Sequence, residues 1–467
     1  MKRRSFLRRT AIGVGGAVVL AGCGGDPGPG TDDRSDRDGD DGSDGADAPD
    51  DPPVPDGFDR VVNVVNRGAD PSGEESLVPI LEDIDPDGSV VFLPAGTYRM
   101  DDTWRVTDFE RLALVGRDAT IVPSPEQSVQ LFSFDGEGSG TELRVEGLDF
   151  DYSHEDARGR MLHLKIRDGL LVRNVTAFGT VTERPSLVRV DVTDSDGEGL
   201  VDRLRLPDGA AADTGITGCY VGNDSRGDIT FRDCRIEGFP DNGLYADPPA
   251  GSITVDGGYF ANCGISNVRV RGDSTIRDAY VRCDSDHLGF ENMRGIRLTD
   301  YEPQDTPEPA VVENCRVDML EVSHSDGAIE LSGQLARAVV RDTHVRVNAD
   351  DVPAFNAKEP DSVFEELGIL PSVELENVTV EGSAGEGDVI GITGRSECAF
   401  SGLDIHQTGP NRDGVTFSDS RDNVIRNARI DVTGDAIVLS DSETDTFDVD
   451  VVEDANENDP VADDDAE

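Results

Sequence analysis

Lysine is almost missing from this chain: Lys2, Lys165 and Lys358 are its only lysines among 42 basic residues, and the others are Arg. Aromatic side chains make up 5% of the sequence, with a single Trp. The apolar stretch from Thr10 to Ala21 falls short of the roughly 20 residues a membrane-spanning helix needs. Basic patches are missing as well. With 96 Asp and Glu against those 42 bases the formal net charge is -54, which argues against nucleic acid as a partner, since phosphates require clustered cations. Few rings and 52 glycines suit narrow coils with many turns.

What is present is a short pattern that returns between Val145 and Ile430: apolar, any residue, Asn/Asp/Gly, any two residues, apolar. Its centres are Gly147, Asn174, Asp233, Gly257, Asp278, Asn314, Asp342, Asn377, Gly402 and Asn427. The two apolar positions lie five apart, so one alternating strand cannot turn both inward and the chain must bend at the centre. Asn, Asp and Gly tolerate the left-handed backbone conformation that such a bend needs.

The centres are spaced by 21 to 36 residues, except for 59 between Asn174 and Asp233, an interval long enough to hide a further turn. This is a solenoid period. A second strand motif keeps step with it at Gly243-Leu-Tyr-Ala, His287-Leu-Gly-Phe, Gly327-Ala-Ile-Glu-Leu, Val389-Ile-Gly-Ile, Gly414-Val-Thr-Phe and Asp435-Ala-Ile-Val-Leu. Three short strands per coil predict an all-β chain, a right-handed parallel β-helix. A leucine-rich horseshoe has a similar period, but its Leu/Asn framework is absent.

Taken in order, Arg3-Arg4-Ser5-Phe6-Leu7-Arg8 resembles a twin-arginine export motif, and Leu20-Ala21-Gly22-Cys23 resembles a lipobox. Together these imply a signal over residues 1–23 and lipidation at Cys23, which would place the protein on the extracellular face of the cell membrane, held by the lipid anchor alone. Residues 24–57, mostly Asp, Gly and Pro, read as a disordered acidic linker, residues 58–442 as the β-helix, and residues 443–467 as an acidic disordered tail. Acid spread over every segment with almost no Lys is similar to the composition of proteins from extreme halophiles. Self-repulsion is expected to loosen such a fold in dilute buffer, because the screening length grows from about 3 Å at molar salt to about 10 Å at 0.1 M.

From Arg60 the sequence resembles the N-terminal part of the pectate-lyase-like superfamily. The resemblance rests on Val61-Val-Asn-Val-Val-Asn-Arg-Gly68-Ala69-Asp70-Pro71-Ser-Gly73, on Leu77 to Ile84, and on Val90-Val-Phe-Leu-Pro94-Ala95-Gly96-Thr97-Tyr98. It implies a strand and a short helix, limited by Pro79, capping the first coil and covering its exposed edge. Insertions at Thr180–Asp228, Arg294–Ala310 and Asn348–Ser372, the last with a short helix at Val363 to Leu367, are expected to overhang one face. Cys219, Cys234, Cys263, Cys283, Cys315 and Cys398 read as small core residues, with Cys263 and Cys283 the pair to test for a disulfide.

Enzymes of that superfamily work on the outer surface of one sheet. Carrying that face over brings together Tyr245 and Asp247, Arg269 and Arg271, Gly289 and Glu291, then Glu330 and Ser332. A uronate lyase would use Arg269 and Arg271 to neutralise a carboxylate and Tyr245 or His287 as base. A hydrolase would use Glu291 and Glu330 as paired acids, roughly 8 Å apart from strand spacings. Tyr245, Asp247 and His287 would contact substrate. A solvated sheet would carry the same alternating Arg and Glu as plain cross-strand ion pairs.

The signatures of known members are absent: no Gly-His-Gly with Asn-Thr-Asp and Arg-Ile-Lys, no Asp-Pro-His-Asp, and only Arg184-Pro185-Ser-Leu-Val-Arg189 near the pectate-lyase Arg-x-Pro-x-x-Arg. No metal-ligand spacing and no cofactor emerge, and a bound calcium ion is left open. The expected partner is a polysaccharide or surface glycan, either processed by a lyase or hydrolase or bound by a non-catalytic adhesion module.

Overall fold

A computed structural model describes residues 51–452, apart from 126–128, 137, 139, 184, 286–289 and 291. The signal, Cys23, most of the linker, His287 and Glu291 therefore lie outside the described residues. The chain winds into a right-handed parallel β-solenoid of about 13 turns, with few helices.

All ten expected corner residues adopt the left-handed conformation, from Asp233 at φ 49° to Gly257 at φ 72°. The apolar residues two positions before each corner stack directly on one another, Val145 on Val172 on Val201 on Phe231 and onward to Ile425. Those three positions after the later corners do the same, from Ile236 through Phe260 and Val281 to Ile430. Corner side chains also bond along the edge: Asn377 donates to Asp342 at 3.1 Å, and Asn314 donates to Asp278. Each coil thus shares a register with the next, and the core is one continuous apolar column.

The long interval holds the extra corner at Arg203, φ 55°. Arginine is not a turn former; here its Nε donates to Asn174 at 2.6 Å and its Nη2 pairs with Asp202 at 2.9 Å, which ties the strained position to the coil before it. The Thr180–Asp228 stretch is accordingly a regular coil built from Ser186–Val192, Glu198–Leu206 and Thr217–Val221, and not an insertion. The short helix Val363–Leu367 falls where the sequence placed it.

At the N-terminal end Arg60–Asn63 and the helix Val78–Glu82 close the tube, with Leu77, Val78, Leu81 and Ile84 buried against the first coils. At the other end the strand Thr444–Val451 pairs with Asn423–Asp431, inside the stretch the sequence assigned to the acidic tail. Its Asp-rich composition hides a corner at Asp448, φ 53°, and places Val451 in register with Ile430, where it stays exposed at the end of the tube.

The third strand of each coil forms a separate sheet of 13 strands, running from Trp104–Val106 to Ile437–Ser440. In the coil that follows Ser266–Val270 its strand is Arg294–Leu298, downstream of the His287 motif expected there. The six cysteines from Cys219 to Cys398 are free and buried. Between Cys263 and Cys283 lies the amide of Asn267, accepting the Cys263 N–H at 2.9 Å and donating to Cys283 Sγ at 3.0 Å, so this pair is part of the packed core and not a disulfide.

Candidate functional site

Alternation along each strand of the third sheet turns one side chain per coil outward, and the shared register lines these up into a row. It reads His163, Arg189, Tyr220, Tyr245, Arg269, Arg297, Glu330, Asn356, Gly391, Thr416 and Val438. In this part of the row the first seven carry all the rings and charges, and the last four carry neither.

The two tyrosines meet edge to face, with ring centroids 5.2 Å apart. Arg189 lies 5.8 Å from the centre of the Tyr220 ring and Arg269 4.2 Å from that of Tyr245, both within cation–π range. Each guanidinium is fixed by a buried carboxylate. Arg269 donates through Nε and Nη2 to one oxygen of Asp247, at 2.9 and 2.6 Å, and Asp247 is only 3% exposed. Arg189 donates at 2.7 Å to Asp191, which is wholly buried. Burial pushes both carboxyls up, and the paired arginines pull them back.

Arg297 is held by Glu330, at 3.3 Å. Glu330 also has Arg294 at 2.7 Å and Lys358 at 3.4 Å and no measurable exposure. Arg294 and Lys358 share a second acid, Asp326, with Lys358 at 2.6 Å. Burial alone would raise Asp326, but bonds from Lys358 and Asn292 and the charge of Arg294 hold it well below the usual carboxylate range.

Of the residues singled out from sequence, Tyr245, Asp247 and Arg269 come together as one unit. Arg271 does not face outward as a free cation: its Nη1 donates to the Gly251 carbonyl at 2.6 Å and its Nε lies 3.7 Å from Asp300, whose carboxyl burial pushes up to about 6. Glu330 lies on the outward row by register yet is covered by its three cations, which holds it as an anchoring carboxylate and not as an exposed acid. The row also contains Arg189, Tyr220 and Arg297, which sequence reasoning missed. Their signal was the solenoid register itself, lost where the strand of one coil was misplaced. Both lysines of the solenoid lie on this face: Lys165 pairs with Asp224 at 3.0 Å, and Lys358 sits over Asp326 and Glu330.

Around the middle of the row Lys165, Arg189, Arg269, Arg271, Arg294, Arg297 and Lys358 stand against Asp191, Asp224, Asp247, Asp300, Asp326 and Glu330, and Arg105, Asp135, Asp388 and Asp413 lie farther along the same sheet, so cations and carboxylates nearly balance in a chain with 96 acids and 42 bases. The face is therefore an electrostatic exception. A surface hollow of about 840 Å³ lies on another face and is lined by Glu142, Arg144, Arg173, Glu198, Asp228 and Arg232 among others. Its arginines are engaged by acids, as in Arg144 with Glu142 and Arg173 with Glu146 at 3.6 Å, and no ring lines it. Shape favours that hollow; chemistry favours the third sheet. Among the described residues no group of three or more His, Cys, Asp or Glu is placed to hold a metal ion.

His163 stands in register with Ser133 and Arg105 of the coils before it, with Nδ1 2.9 Å from Gln130 Oε1. Burial, then the charges of Arg189 and Arg160, push its imidazole down to about 4 from an ordinary 6.5. A base depressed on folding contributes stability above its unfolded value and loses it as pH falls. Unfolding midpoints are expected to drop between pH 6.5 and about 4, and His163→Gln to flatten that part of the profile.

No family model and no curated protein matches the sequence. Among solved structures, the A-module of the mannuronan C-5 epimerase AlgE4 from Azotobacter vinelandii aligns over 84% of this chain and 99% of its own, with a TM-score of 0.51 and 9% identity. The fold is a pectate-lyase-like parallel β-helix. The surface adhesin PfbA of Streptococcus pneumoniae aligns over 84% of this β-helix and 93% of its own chain at a TM-score of 0.40 and 13% identity. The Family 28 exopolygalacturonase of Yersinia enterocolitica aligns over 84% and 78%, at a TM-score of 0.34 and 12% identity. At these identities the likeness concerns the fold.

Proposed function

We propose that this β-helix binds an extended acidic polysaccharide along the outer face of its third sheet. One observation carries the reading: Arg189, Arg269 and Arg297 project from successive positions of a single row, each held by a buried carboxylate, with two tyrosine rings between the first and second. Anchored guanidinium groups lose little conformational freedom when a ligand arrives, and their planar forks suit carboxylate or sulfate groups. The tyrosines offer apolar surface against which sugar rings pack.

Recognition is favoured over turnover. Among the described residues of the row the acids are buried beneath cations, and burial raises the Tyr245 phenol, which disfavours it as a base. The mannuronan epimerase shows that this kind of solenoid can act on a uronate chain, so processing is the second reading. We further propose export and lipid attachment at Cys23, which would display the face outside the cell, in a salt-rich setting that suits a net charge of -54.

Titration with uronate oligosaccharides over a range of salt tests the binding. Arg269→Ala and Arg297→Ala are each expected to weaken it about 10- to 100-fold, the loss of one charge-assisted contact. Unchanged affinity in both variants would refute the proposal. Release of unsaturated products or new reducing ends by the wild type would favour processing.

A further inference from the structure

The chain has seven tyrosines. Tyr98 and Tyr152 are buried in the core, and Tyr301 is exposed on a loop. The other four are half-buried on strands and make two contacting ring pairs: Tyr220 with Tyr245, edge to face, on the third sheet, and Tyr259 with Tyr280, tilted, on the strands that follow the corner. Both pairs belong to neighbouring coils of the same stretch of tube.

The second pair repeats the layout of the first. By register the row reads Arg235, Tyr259, Tyr280, Arg316. The ring centroids are 5.3 Å apart, Arg235 lies 5.7 Å from the centre of Tyr259, and Arg316 lies 5.0 Å from that of Tyr280. Arg316 donates to Asp318, at 2.8 Å from Nη2, and Asp318 is 1% exposed, the same buried anchor that Asp247 provides for Arg269. The Tyr280 hydroxyl donates to the same carboxylate at 2.8 Å, which fixes the ring.

Cross-strand pairing alone does not ask for this. Any outward position would serve an Arg–Asp pair, yet both described ring pairs on the outer surface are bracketed by arginine at each end. The guanidinium of Arg316 is also more open than that of Arg269, with side-chain exposures of 53% and 16%. We propose that Arg235, Tyr259, Tyr280 and Arg316 form a second, independent site for an acidic glycan. Two rings would pack against consecutive sugars and the flanking cations would meet their carboxylate or sulfate groups. A β-helix with two such rows holds two glycan chains side by side, and so can cross-link a polysaccharide layer.

The experiment is calorimetric titration of the full chain in molar salt with short uronate oligosaccharides, and in parallel with sulfated and neutral ones. The wild type is expected to bind two oligosaccharides, the Tyr259→Ala/Tyr280→Ala variant one, and the Tyr220→Ala/Tyr245→Ala variant the other one. Arg235→Gln/Arg316→Gln, which keeps the rings and their packing, is expected to weaken only the second site and only toward charged sugars. Preference between uronate and sulfated probes identifies the anionic group. Binding of a single oligosaccharide that is insensitive to changes at Tyr259, Tyr280, Arg235 and Arg316 would overturn the proposal. So would a change in sedimentation showing that these rings join two copies of the chain. Loss of binding confined to the Tyr259 and Tyr280 variant would support this site while refuting the third-sheet reading.

Discussion

Glu330→Ala is expected to destabilise the protein by about 3–5 kcal/mol, because it strips a buried anion from three cations and leaves them uncompensated. Arg294, Arg297 and Lys358 approach Glu330 at 2.7, 3.3 and 3.4 Å, and the carboxylate has no exposure to water through which solvent could take over its role. Among the described residues Asp326 remains as a partner for Arg294 and Lys358, and Arg297 then has no acid within salt-bridge distance. The measurement is the denaturant midpoint in molar salt, with Glu330→Gln expected to cost less because it keeps the shape and one acceptor. A loss below about 1 kcal/mol, the size of a surface pair, would mean that water reaches the cluster and that Arg297 is not rigidly placed.

Arg395→Met is the second large effect. Arg395 is fully buried and has no carboxylate partner among the described residues; burial pushes its guanidinium down to about 10. It is satisfied by carbonyl oxygens of two preceding coils, those of Ser332, Leu335 and Ala336 at 2.9, 3.0 and 2.8 Å and that of Lys358 at 3.0 Å. Methionine fills much of the volume and removes a desolvated charge, but it takes the donor from the Leu335 and Lys358 carbonyls, at about 1–3 kcal/mol each, while those of Ala336 and Ser332 keep the backbone N–H groups of Ser372 and Leu335 at 3.1 and 3.4 Å. A net loss of about 3 kcal/mol is expected, measured as the shift in unfolding midpoint. Arg395→Lys should not rescue it, since an ammonium cannot span the same four acceptors. Because one of those carbonyls belongs to Lys358, weaker glycan binding should accompany the loss.

Much of this was legible in the chain because a solenoid repeats one local rule. Asn314, Asn377 and Gly402 announce their corners by residue type, and the apolar residues around them mark the inward direction. Arg203 breaks the rule since its left-handed backbone is stabilised by side-chain bonds to Asn174, the corner of the coil before, and to Asp202 beside it, and not by its own residue type. The strand Arg294–Leu298 was missed for a related reason: the preceding connection is longer than those of the two coils before it, and His287-Leu-Gly-Phe imitates the strand motif. That displacement hid Arg297 and placed Glu291 on the expected face. Whether an outward residue is exposed was not readable either. Glu330 and Asp247 occupy outward positions, and only the arginines folded over them make them buried.

The stacked register also gives the molecule an editable alphabet. Each full turn contributes one letter to the outer row, and the turns above and below present the same joining surfaces. Excising the whole turn that bears Tyr245 would bring Tyr220 and Arg269 together as neighbours while the remaining sequence of letters kept its order, so the length and charge order of the bound chain could be rewritten one turn at a time.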